Sequence, residues 1–160
     1  MSCYFPTLAA LMTLTSVSAQ AGDIKGKTSR LPTNDCIEIG GMVVTDAGPT
    51  YGATEFKCGE KLSLVLERET GRKGNSAVWT VIDRITVSKP SPRHEFLESA
   101  FCSSSQFPND FVFALGEMVE QPDRSYRSEN VVAAWRFDIQ SEKMTAIPVE
   151  GMLCELDPGD

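Results

Sequence analysis

The sequence predicts a mainly β protein: a single antiparallel sandwich or partly open barrel of about 7–8 strands, with at most one short helix and two disulfides. Three observations carry this. Apolar residues recur with period two rather than 3.6, the pattern of strands with one buried face. Turn signals rich in Gly, Pro, Asn and Asp interrupt that pattern at short intervals. Of five cysteines, four (Cys36, Cys58, Cys102 and Cys154) lie outside the N-terminal apolar segment, an even set suited to disulfide pairing.

In order along the chain, a polar lead-in, Gly22 to Asp35, precedes a first strand at Cys36 to Thr45. Asp46 to Ala53 reads as a turn, since it holds Gly48-Pro49 and Gly52. Lys61 to Glu69 places Leu62, Leu64 and Leu66 on one face and turns Ser63 and Glu67 toward solvent. Gly71-Arg72-Lys73-Gly74-Asn75 reads as a hairpin loop, because its glycines can take positive φ. Ala77 to Lys89 is the clearest strand: strict alternation puts Trp79, Val81, Asp83, Ile85 and Val87 on one face. Pro90-Ser91-Pro92 stops it, because proline donates no ladder hydrogen bond. Phe96 to Cys102 fits a short strand or a helical turn. Asp110 to Met118 alternates through Phe111, Phe113 and Leu115, and Gln121 to Glu129 reads as a polar loop. Val131 to Ile139 aligns Val131, Ala133, Trp135, Phe137 and Ile139, with Ser128 to Ala134 also able to open as a helical turn. A turn at Gln140 to Lys143 leads into strands at Met144 to Val149 and Gly151 to Glu155, and the tail Asp157 to Asp160 is expected to fray.

Residues 1–21 read as an export signal. An apolar stretch runs from Leu8 to Val17, and Ala19 with Ala21 supply the small side chains that a signal peptidase accepts, so cleavage is expected after Ala21, or after Ala19 using Val17. The n-region has no Lys or Arg, and Cys3 falls inside the leader. Residues 22–160 then form one disulfide-stapled β domain, periplasmic or secreted, with no transmembrane segment. The leader has no charged side chain, so the formal charge of −7 belongs to that domain. Such a surface gains nothing from counterion release on nucleic acid and is repelled by anionic lipid. A cationic protein or peptide is the partner it suits.

Four cysteines allow three connectivities. Pairing Cys36 with Cys58 and Cys102 with Cys154 keeps each bridge within one half of the chain. Zinc sites use closely spaced cysteine pairs, which these are not, and no cofactor motif is present, so no metal or cofactor is expected. Catalytic chemistry is equally thin. His94, the single histidine, sits after the proline break and reads as an exposed loop residue. A triad would need it to meet Ser103, Ser104 or Ser105, which lack the glycine-flanked elbow of an activated serine. Glu95 with Glu98, and Glu67 with Glu69, read as charges on solvated strand faces. Asp83 is different, because a carboxylate on an apolar face needs donors. Arg136, beside Trp135, is the cation expected to meet it, and the couple is either a structural pair or the polar anchor of a ligand site. Both tryptophans read as core residues.

The second half of the chain carries a recognisable order: Trp79-Thr80-Val81-Ile82-Asp83, Phe101-Cys102, Ala134-Trp135-Arg136-Phe137-Asp138, Ile147-Pro148 and Cys154. Across roughly Ala77 to Leu156 this resembles a group of small uncharacterised exported proteins of proteobacteria, although Ser141-Glu142-Lys143 replaces the Thr-Gly-Arg type of turn common there. The resemblance implies a Gram-negative periplasmic setting and carries over no activity and no site residue. The expected function is a non-catalytic binding or inhibitory module for a protein partner. The alternatives are a small hydrolase using His94 and an envelope accessory protein without a defined ligand.

Overall fold

A computed structural model of the chain describes residues 35–45, 48–89, 91–97 and 100–156. The leader at 1–21, Glu98 and the tail at 157–160 lie outside the described residues. Ten strands are present among the described residues: β1 (Cys36–Thr45), β2 (Tyr51–Cys58), β3 (Lys61–Lys73), β4 (Ser76–Ser88), β5 (Glu95–Leu97), β6 (Cys102–Ser104), β7 (Phe111–Glu120), β8 (Tyr126–Asp138), β9 (Lys143–Ile147) and β10 (Met152–Leu156). No helix occurs among the described residues, so none there is long and apolar enough to cross a membrane. The strands form two antiparallel sheets. One is the meander β1-β2-β3-β4; the other runs β5-β7-β8-β10-β6, with β9 also paired to β8.

The sheets pack face to face. Leu62, Leu64, Leu66, Ile85 and Val87 of the first meet Phe96, Phe113, Leu115, Trp135 and Phe137 of the second in the main core. Phe137 meets the ring of Tyr51 edge-on at 5.0 Å between centroids. Behind the second sheet, Val112, Ala114, Ala134 and Ile147 pack against Cys102 and Cys154; behind the first, Phe56, Val65 and Val81 pack with Cys36. The two disulfides are Cys36–Cys58 and Cys102–Cys154, as the half-chain argument expects. Each joins residues directly opposed on neighbouring antiparallel strands, and two such bonds belong to an oxidising, exported compartment.

The strand count exceeds the expected one for identifiable reasons. Tyr51 to Cys58 is a strand although Gly52 and Ala53 read as turn residues. Gly52 is required there because the Trp79 ring lies over it; a Cβ would come within 3.2 Å of the ring edge. The ends of the Phe96–Cys102 segment fall in two three-residue strands, β5 and β6, and its residues 98–99 lie outside the described residues. The expected polar loop at Gln121 to Glu129 is half strand, and Ser128 to Ala134 is extended throughout. The Gly71 to Asn75 loop shrinks to Gly74-Asn75, with Gly74 at φ 62° between the paired Lys73 and Ser76. Positive φ at the first turn position is what a type II′ hairpin needs.

Two irregularities break the alternation. In β4 the pairing passes from Leu66↔Asp83 to Glu67↔Val81, leaving Ile82 as an extra residue. Asp83, Ile85 and Val87 therefore face the core, whereas Trp79 and Val81 face outward, correcting the single face expected for all five. In β8 the register slips between Ala133 and Glu129 around Asn130, which takes φ 52°. Val131 then packs behind the second sheet, not beside Trp135.

Candidate functional site

Asp83 and Arg136 do not meet. Asp83 points inward from β4 and accepts the backbone N–H of Met144 at 2.7 Å and that of Arg84 at 2.8 Å. Those donors satisfy the half-buried carboxylate, and the first ties β4 to β9 across the sandwich. Arg136 sits between Trp135 and Phe137, both core residues, so alternation sends it to the far side of the second sheet. There it pairs with Asp110 at 3.0 Å and lies over the Phe107 ring at 5.0 Å. The couple expected as a structural pair or a polar anchor is instead two separate contacts, Asp83 with backbone amides and Arg136 with Asp110.

His94 is buried, 8% exposed, which corrects the exposed-loop expectation. Its backbone N–H closes a turn onto the Ser91 carbonyl at 3.1 Å, and β5 begins at the next residue, so pairing with β7 draws the imidazole in. Arg93 takes the outward position and pairs with Glu117 at 3.0 Å. Neither ring nitrogen of His94 has a hydrogen-bond partner. The serine run is engaged elsewhere: the Ser103 hydroxyl faces the Leu153 carbonyl and the Ser104 oxygen accepts from Gln106 N–H. Glu67 is also buried, and its carboxylate accepts the Thr54 hydroxyl at 3.0 Å. It escapes solvent because the outer face of the first sheet has its own apolar cluster. Trp79 is partly buried beside it, outside the core that holds Trp135.

A cleft lies between the sheets where β1 and β2 approach β5. It encloses about 420 Å³, within the usual range of ligand cavities. One wall is Ile39, Gly40 and Glu55, which the β1–β2 register sets side by side by pairing Gly40 with Glu55. The other is Phe96, Leu97, Met118 and Tyr126, with Glu95 at the mouth. Ile39 reaches it because a bulge falls between Glu38 and Gly40. Among the described residues, the lining has two carboxylates and no basic side chain. Sequence reasoning missed this site. Glu55 lay in no assigned element, and Glu95 was read only as a surface charge; the exposed, charge-free Ile39-Gly40-Gly41 run was the available signal.

Opposite the cleft, the sandwich is closed by polar contacts. Arg68 pairs with Glu142 in the β8–β9 turn, and the Tyr51 hydroxyl donates to the same carboxylate at 3.4 Å. Burial, and then the Glu142 charge, raise the Tyr51 phenol above its ordinary pKa. On the outer face of the first sheet, burial lowers the pKa of the Arg84 guanidinium. Compared with known protein families, curated proteins and solved structures, the chain matches none.

Proposed function

We propose that the protein is a non-catalytic binding module of the periplasm or the secreted space, exported by the leader at 1–21, which holds a cationic protein partner through the cleft between its sheets. The observation that carries this reading is the lining of that cleft: apolar walls with Glu95 and Glu55 and, among the described residues, no basic side chain. An apolar pocket supplies contact area, and carboxylates at its rim select a positive charge. The formal charge of −7 adds a field that draws such a partner in. A stapled β scaffold also loses little entropy on binding. The hydrolase alternative rests on His94, whose ring nitrogens contact neither a serine nor a carboxylate.

The test is affinity capture from periplasmic extract at low and high salt, with wild type and the Glu55→Gln/Glu95→Gln double variant. A partner of positive net charge is expected, released as the Debye length falls below about 8 Å and bound more weakly by the double variant. His94→Ala, shown to be folded by circular dichroism, is assayed in parallel on a panel of hydrolase substrates. A wild-type hydrolytic rate that disappears in this variant replaces the binding reading with the enzymatic one.

A further inference from the structure

We infer that β1 is a docking edge at which an extended, basic segment of the partner adds as a further strand beside the cleft; this rests on the binding-module reading above. β1 is the outermost strand of the first sheet and, among the described residues, pairs only with β2. Such an edge presents backbone N–H and C=O groups on its open side, and natural proteins ordinarily blunt it with Lys, Pro or a cover. The β1 sequence, Cys36 to Thr45, has no Lys, Arg or Pro. Ile37, Ile39 and Val43 are instead 61%, 49% and 59% exposed, apolar side chains where a half-buried strand ordinarily turns polar ones to solvent. Its middle is Gly40-Gly41, where no side chain stands between the backbone and an approaching strand.

Cavities flank this edge on both sides of the sheet. The cleft with Glu55 and Glu95 lies on the inner side, and a groove of about 320 Å³ bordered by Glu38, Gly41 and Trp79 lies on the outer side. A strand laid along β1 sends alternate side chains to the two faces, so each face has a receptor for one set. Among the described residues, Lys57 stands opposite Ile37, while Glu38 borders the outer groove and Glu95 the cleft. That charge selects a basic segment and disfavours a second copy, whose β1 would bring another Glu38 to the same edge. The bulge at Ile39 divides the edge into Ile37–Glu38 and Gly40–Val43, and this further discourages self-pairing in register.

The probe is a capped ten-residue peptide that alternates Val with Thr and carries two Lys. Its controls are a twin with Glu for Lys and a twin N-methylated at alternate amides along one edge. The peptide is expected to bind, to slow hydrogen exchange of amides within Glu38–Val43 about tenfold, and to lose about tenfold or more in affinity in either twin. The protein variant Ile37→Lys/Val43→Lys, altered only at exposed positions outside the cleft lining, should melt as wild type does and lose binding to the same extent. The inference is overturned by no binding at millimolar peptide or by equal binding of the N-methylated twin. Protection of these amides in the protein alone, or self-association removed by the double lysine variant, overturns it too. Salt-sensitive partner capture that survives Ile37→Lys/Val43→Lys would leave the cleft reading standing and remove only the edge.

Discussion

At the scale of single residues, burial separates groups that look alike in the sequence. Trp135 fills the core at 3% exposure, while Trp79 covers Gly52 from outside. Replacing Trp135 with Ala is expected to cost about 3–5 kcal/mol, the range for a buried aromatic. Trp79→Ala should cost less, about 1–3 kcal/mol, as the loss of a partly buried apolar surface. Urea unfolding of the two variants ranks them. Tyr51 makes a pH-dependent prediction. Its pKa is raised in the folded state, by burial first and by Glu142 second, so folding favours the neutral phenol. The associated stability is complete below the ordinary value of about 10 and is lost as pH rises through the raised one. Between about pH 8 and about pH 11, wild type should therefore lose more stability than Tyr51→Phe, measured as the shift in urea midpoint.

At the scale of elements, the turns do more than connect. Asp138 ends β8 and accepts the N–H of Gln140 at 2.9 Å and of Ser141 at 3.2 Å, an arrangement that organises the turn into β9. Those bonds, the Ser141 amide foremost, hold the Asp138 carboxyl below its ordinary pKa. A depressed value means stability that is present above the unfolded pKa and lost as pH falls through the folded one. Acid should loosen this hairpin, and Asp138→Ala should remove that part of the acid dependence; the Trp135 fluorescence of wild type and variant between neutral and acid pH measures it. The strands themselves were largely readable. Period-two runs located β1, β3, β4, β7 and the second half of β8, because burial of one face is written directly into alternation. Ile82 and Asn130 were not readable, since a bulge depends on the partner strand's register. Gly52 was misread because its reason, the Trp79 ring, comes from another strand. The separation of Asp83 from Arg136 was legible in principle: Arg136 lies between two core aromatics and had to face away. The burial of His94 and Glu67 was not, for it depends on what packs above them.

At the scale of the whole molecule, the disulfides carry a large share of stability. They close segments separated by 22 and 52 residues, and the chain-entropy relation assigns them about 3 and about 4 kcal/mol, against a typical net stability of about 5–15 kcal/mol. Peptide mapping without reduction should recover both bridges, and Cys102→Ala/Cys154→Ala should lower the melting temperature more than Cys36→Ala/Cys58→Ala. The cross-sheet contacts are distributed unevenly. Asp83 with Met144, and Arg68 and Tyr51 with Glu142, gather where β4, β3 and the first residue of β2 meet β9 and the turn before it, whereas the cleft lies between the Ile39–Gly40 and Glu55 region of β1–β2 and β5. Among the described residues, these polar stitches between the two layers lie along one margin, like the stitching of a book. Thermal breathing is expected to part the layers at the cleft margin before the stitched one.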